Sequence, residues 1–254
     1  MCLILLAWKA HPQYELIVAA NRDEWHGRPA LPAQWWDDAP DLLAGKDLKA
    51  GGTWLGIARN GRFAAITNFR EPGDKLSTAP SRGTLAMDFL LDDRTPEAFF
   101  SALSHHASRF NGFTLIAGDG KSLLCFDSRT STFAEIAPGV HGLSNHTLDE
   151  PWPKVTLGRN RLGEIVKSPF DFEQLFLPLE DRRVFDDTVL PETGVGKEWE
   201  RVLSSALIVT PGYGTRCSTA ITVDANSHVV FEERTRDAEG AVTNKMGYVY
   251  TIVP

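Results

Sequence analysis

The chain has 254 residues and a formal net charge of −7, with 43% hydrophobic and 23% charged residues. This is the composition of a globular protein able to bury a sizeable core, so the chain is read as one large domain over 1–254. The acidic balance, with lysines and arginines scattered singly, speaks against a nucleic-acid partner, because phosphate binding needs a basic face.

Three cysteines, Cys2, Cys125 and Cys217, are an odd number without metal-ligand spacing. That fits a reducing compartment better than a disulfide framework. The apolar run from Cys2 to Trp8 lacks a basic leader and is far too short to span a bilayer. A cytoplasmic or organelle-matrix protein without an integral membrane segment is therefore expected, with no metal and no bound cofactor.

In chain order, Cys2–Trp8 and Glu15–Ala20 are apolar runs around a polar, proline-containing break, and they read as a hairpin. Asn21-Arg22-Asp23-Glu24 then falls where the second strand is expected to run out. The proline-rich piece from Arg28 to Pro40 reads as a surface loop. Asn60-Gly61 between apolar runs predicts a second hairpin, closed by Phe63–Asn68. Helical spacing follows over Arg82–Leu91 and over Pro96–His106, where Thr95 is placed to cap a helix with proline in its first turn.

Strand patterns return at Phe113–Ala117, Leu123–Asp127 and Phe133–Ile136, and Gly142–His146 reads as a polar exit from a strand. Helical patterns cover Pro153–Val166 and Phe172–Leu177. The last third, with runs at Ala206–Thr210, Cys217–Val223, Val229–Glu233 and Tyr248–Val253, is β-branched and strand-like. The alternation predicts an α+β fold, a four-layer α/β/β/α sandwich of mostly antiparallel sheets.

Several polar residues fall at predicted strand ends, where side chains can converge: Cys2, Arg22 with Asp23, Asn68, Asn145, and Arg216 in Gly214-Thr215-Arg216-Cys217-Ser218-Thr219. Met1 before a small residue is a start that cells commonly trim. Its removal would give Cys2 a free α-amine beside its thiol, a nucleophile with its own base. The bland alternative is a small buried residue at the start of a strand.

Met1-Cys2, Asn21-Arg22-Asp23-Glu24 and the late Gly214–Thr219 stretch resemble the NRDE-motif family, also called the transport and Golgi organisation 2 family, over nearly the whole chain. A more distant resemblance is to the choloylglycine hydrolase and penicillin V acylase group of N-terminal nucleophile hydrolases, which share the sandwich. That likeness implies catalytic roles for Cys2, Arg22, Asp23, Asn145 and Arg216. It implies substrate contacts for Asn68, with Phe69 and Trp54 as apolar lining. Arg22 and Asp23 are adjacent here, whereas that group separates its arginine and aspartate. The implied reaction is hydrolysis of an amide or thioester in a small acylated substrate. The family also implies a rival, a non-catalytic binding protein for haem, an acyl lipid or acyl-coenzyme A.

Overall fold

A computed structural model describes residues 2–71, 73 and 76–253. The strands are β1 (Cys2–Trp8), β2 (Tyr14–Trp25), β3 (Ala30–Trp36), β4 (Ala39–Asp47), β5 (Leu55–Ala58), β6 (Phe63–Asn68), β7 (Phe113–Gly118), β8 (Leu123–Asp127), β9 (Thr132–Glu135), β10 (Gly139–Leu143), β11 (Tyr213–Asp224), β12 (His228–Arg236) and β13 (Val242–Thr251). The α-helices are α1 (Gly83–Leu90), α2 (Pro96–Ser104), α3 (Pro153–Ile165) and α4 (Lys197–Val202). The fold class is α+β, built on two antiparallel sheets. The chain divides into two compact units, one of Met1–Gly27, Arg70–Gly73 and Pro138–Tyr250, the other of Arg28–Phe69, Asp74–Ala137 and Thr251–Pro254.

The first unit holds the sheet ordered β10-β1-β2-β11-β12-β13. Strand β1 is buried at every position, which is why it reads as an unbroken apolar run rather than an alternating one. On one face Leu3, Leu5, Ile17 and Ala19 pack against Val155 and Leu162 of α3 and against Leu175, Phe176 and Leu179 of a 3-10 helix over Phe172–Glu180. Burying each such leucine or phenylalanine contributes about 1.5–3 kcal/mol. Close approach of α3 depends on two glycines. A Cβ on Gly158 would lie 2.8 Å from the Leu5 side chain, and one on Gly142 would lie 2.8 Å from Val155 Cγ1.

The second unit is a meander ordered β3-β4-β5-β6-β7-β8-β9. Phe89 of α1 and Phe99, Phe100 and Leu103 of α2 pack with Phe113, Leu115 and Phe126 on one face. Thr95 caps α2 as expected, its side chain accepting from Ala98 N at 3.3 Å.

Three expectations are corrected, and one helix is added. Strand β2 continues to Trp25, so Asn21–Glu24 lies inside it; β1 and β11 pair with β2 from either side, and these polar residues find side-chain partners. Arg28–Pro40 contains β3 rather than a plain loop: β3 is an edge strand with an irregular register between Leu31 and Gln34, where Pro32 costs no ladder bond. Ala206–Thr210 forms only an isolated bridge, Val209 with Gly214, because neighbouring backbone groups bond elsewhere: Leu207 N to Asp181 O and Ala206 O to Asn21. Helix α4 was not expected, being too short to show an apolar period.

Candidate active site

Cys2 is the first residue of β1 and is 8% exposed. Its peptide N–H donates to Asn145 Oδ1 at 3.2 Å, and its carbonyl accepts from Ser144 Oγ at 3.1 Å. The Asn145 backbone has φ 58°, a left-handed conformation that asparagine tolerates better than most residues. The turn after β10 thereby aims two consecutive polar side chains at the backbone of one residue.

Across β1 and β2, Cys2 is paired with Arg22, so the two side chains share a face of the sheet. Alternation along β2 splits the Asn-Arg-Asp-Glu string. Arg22 and Glu24 lie on the Cys2 face, with Nη2 and Oε2 4.0 Å apart. Asn21 and Asp23 point to the other face. Asn21 is fully buried and acts as a clip: Nδ2 donates to Leu179 O (2.9 Å) and Ala206 O (2.8 Å), and Oδ1 accepts from Ser218 Oγ (2.6 Å). Asp23 is 1% exposed, and its Oδ1 accepts from Thr215 Oγ1 at 2.7 Å. The backbone N–H of Asp23 bonds the Cys2 thiol.

Burial dominates the electrostatics. It pushes the Cys2 thiol up, and Asp23 adds to the push, while Arg22 and the Asp23 N–H pull it down. Burial also raises the Asp23 carboxyl, and the largest opposing influence is Lys154. Lys154, in the first turn of α3, is 4% exposed; burial lowers its ammonium to about 8 against the pull of Asp23. Beside it, Arg70 pairs with Glu200 at 3.2 Å and stacks over the Trp152 ring at 4.4 Å, and its backbone N–H donates to Asn145 O at 2.8 Å. Tyr213 is held well above the usual phenol range, by burial first and then by Asp23 and Cys2.

The structure thus brings Cys2, Arg22, Asp23 and Asn145 together. Arg216 is the extra residue at a register shift between Thr215 and Cys217; its guanidinium donates to the carbonyls of Trp25 (3.0 Å) and His26 (3.1 Å) at the C-terminal end of β2, three residues beyond Arg22, whose charge it feels together with that of Glu24. Asn68, Phe69 and Trp54 belong to the second unit. There Asn68 ends β6 and is exposed, Phe69 is buried under Arg129 at 4.4 Å, and Trp54 packs against the α1–α2 core. Trimming of Met1 concerns a residue outside the described ones. Sequence reasoning missed Lys154, Arg70, Glu200 and Thr215. One signal was available for Lys154: a cation in a helix's first turn opposes the helix dipole and calls for a reason. Among the described residues no cluster of three or more histidine, cysteine, aspartate or glutamate side chains is placed to hold a metal, and no helix is long and apolar enough to cross a membrane.

The Transport and Golgi organisation 2 family model matches residues 1–238. The chain belongs to that family. It is 35% identical over 257 residues to the Transport and Golgi organization protein 2 homolog of Bos taurus and 35% identical over 256 residues to that of Homo sapiens, covering 92% of both chains in each case. The Drosophila melanogaster protein is 26% identical over 266 residues, again with 92% coverage of both. Among solved structures, penicillin V acylase from Agrobacterium tumefaciens aligns with a TM-score of 0.52 at 13% identity, over 99% of this chain and 86% of the other. A mutant conjugated bile acid hydrolase from Clostridium perfringens aligns with a TM-score of 0.50 at 9% identity, over 99% and 97%. At such identities the likeness shows the fold, that of the N-terminal nucleophile hydrolases, in a member of the Transport and Golgi organisation 2 family.

Proposed function

We propose that the protein is an N-terminal cysteine hydrolase that cleaves the C–N amide bond, or the thioester bond, of a small acylated substrate. The observation that carries this reading is the double hold on Cys2: its nitrogen on Asn145 Oδ1 and its thiol on the Asp23 N–H, with Arg22 on the same face. Once Met1 is removed, that nitrogen is an α-amine beside the thiol. The thiol proton passes to the amine as Sγ bonds to the acyl carbon, and the amine returns the proton to the leaving nitrogen or sulfur as the old bond breaks. Water then hydrolyses the acyl-enzyme and restores the thiol. Asp23 holds the ammonium form, Arg22 favours the thiolate, and the Asn145 carboxamide lies beside the forming oxyanion, where loss of a donor costs about 2.7–4 kcal/mol. The two solved structures of like fold are named for an acylase and a hydrolase, which supports the reaction class.

Intact-mass measurement of the purified chain tests the first requirement: a retained Met1 leaves Cys2 without its base and overturns this mechanism. With Met1 absent, iodoacetamide labels Cys2 at neutral pH far faster than Cys125 or Cys217; equal rates overturn the reading.

One observation favours a second reading, a non-catalytic protein that binds haem or an acyl lipid. Burial pushes the Cys2 thiol up, as suits a pocket-lining group better than a nucleophile. That reading expects slow labelling of Cys2 and, since a thiol held protonated by burial is a poor iron ligand, a Soret band on adding haem that survives Cys2→Ala.

A further inference from the structure

Lysine is almost never fully buried unless it is paired, yet Lys154 is 4% exposed. Its neighbours in charge are Asp23 on β2, Cys2 on β1, Arg70 after β6 and Glu200 on α4. Arg22 and Tyr213 also face the Cys2–Asp23 pair. Pairing accounts for most of these groups. Arg70 is engaged by Glu200 at 3.2 Å, and Arg22 has Glu24 at 4.0 Å. Asp23, which also accepts from Thr215 Oγ1, is the strongest attraction on Lys154, and Lys154 is the strongest cationic influence on Asp23.

The placement follows from the packing of α3. Lys154 lies one turn before Gly158, on the same side of the helix. Gly158 rests on Leu5, and Val155 rests on Gly142, the β10 partner of Leu5. Both glycines seat α3 directly on β1 and β10, so the lysine is fixed from a rigid element and not from a loop.

We propose that Lys154 is a positioning residue of the Cys2 site: its buried positive charge keeps Asp23 a carboxylate and stabilises the thiolate of Cys2, without touching the substrate. This rests on the reading of Cys2 as the nucleophile. A single charge in a buried setting moves a neighbouring titration by about one pH unit or more. The interaction is with the charge itself, so arginine can replace the lysine and an isosteric apolar side chain cannot.

The test is the pH profile of Cys2 alkylation by iodoacetamide, read by peptide mass in the wild-type chain, Lys154→Met and Lys154→Arg, with thermal melts to establish folding. Lys154→Met is expected to move the midpoint up by about one unit or more, slowing Cys2 about tenfold at neutral pH, while Lys154→Arg keeps the wild-type midpoint. A fast wild-type Cys2 whose midpoint Lys154→Met leaves in place overturns the role of Lys154 alone. If Lys154→Met does not fold, an upward shift in Lys154→Arg overturns it equally, because the charge is then present and ineffective. A wild-type Cys2 no faster than Cys217 overturns the nucleophile reading, and this proposal falls with it.

Discussion

Cys2 and Cys217 stand on opposite sides of Arg22, each its cross-strand partner, one in β1 and the other in β11. Two strand spacings put their backbones about 9–10 Å apart, beyond the ~7 Å limit for a disulfide. Both thiols are pushed up by burial; Cys217 is raised well above its ordinary value, with Glu233 adding to the effect. Arg22 is the cation that lowers both. Arg22→Met is therefore expected to slow alkylation of Cys2 by about tenfold at pH 7.5, Arg22→Lys to retain most of the rate, and Cys217 to stay slow throughout. Diamide should produce no internal Cys2–Cys217 disulfide in the folded chain. Mass-spectrometric detection of that crosslink would contradict the register.

The first residue of the Asn-Arg-Asp-Glu string is expected to matter for stability rather than chemistry. Asn21 satisfies two buried carbonyls, Leu179 O and Ala206 O, and the hydroxyl of Ser218. Asn21→Ala strands those groups, and a buried polar group left without its partner costs about 1–3 kcal/mol. A loss of about 3 kcal/mol or more in urea unfolding is expected, with Asn21→Asp no better because a carboxylate cannot donate to the carbonyls. Cys2 labelling in the folded fraction should be unchanged; a slowed label with normal stability would place Asn21 in the chemistry instead.

Much of the fold is legible in the sequence because it rests on local signals. Asn60-Gly61 marks a hairpin, Thr95-Pro96 a capped helix start, and the apolar run at Cys2–Trp8 a strand covered on both faces. The site is half legible for the same reason. Cys2, Arg22 and Asp23 are a rare residue and a compact string on one hairpin, and Asn145 follows a strand exit. Lys154, Arg70 and Glu200 come together only through the seating of α3 and α4, and nothing in their own sequence neighbourhoods reports a partner so far along the chain. The string itself misleads on one point. Four adjacent polar residues read as the end of a strand, whereas pairing on both sides and alternation between faces keep them inside β2 with different duties.

The ion pair between Arg70 and Glu200, with side chains 7% and 6% exposed, gives a further expectation. Glu200 Oε1 also accepts from Thr193 N at 2.8 Å and from the Thr193 hydroxyl, so the carboxylate anchors the chain before α4 as well as the arginine. Removing one member of a buried pair leaves an uncompensated charge and costs about 3–5 kcal/mol. Arg70→Met should lower stability by that order, Glu200→Gln by less because an amide oxygen still serves Thr193, and Arg70→Met with Glu200→Gln should recover part of the loss. Denaturant titrations of the three variants check the cycle; additive single losses would mean that the pair does not interact.

Lys154 also gives a pH dependence with a defined sign. Its ammonium titrates at about 8 in the folded chain against an ordinary value of 10.5. Between those values the unfolded chain carries the proton and the folded chain does not, so stability rises with pH across the window. Its contribution is fully present above 10.5 and is lost as pH falls through about 8, a difference on the order of 3 kcal/mol. Asp23, raised by burial, acts the other way at acid pH: the folded chain holds its proton longer than the unfolded one, so stability falls as pH rises through that range. Lys154→Met removes the alkaline contribution and, by taking away the cation that opposes burial at Asp23, raises that carboxyl further. The stability of the wild-type chain minus that of Lys154→Met, followed by urea unfolding from pH 7.5 to 10.5, is therefore expected to climb with pH; a flat or falling difference would show that burial does not outweigh the attraction of Asp23 at the Lys154 ammonium.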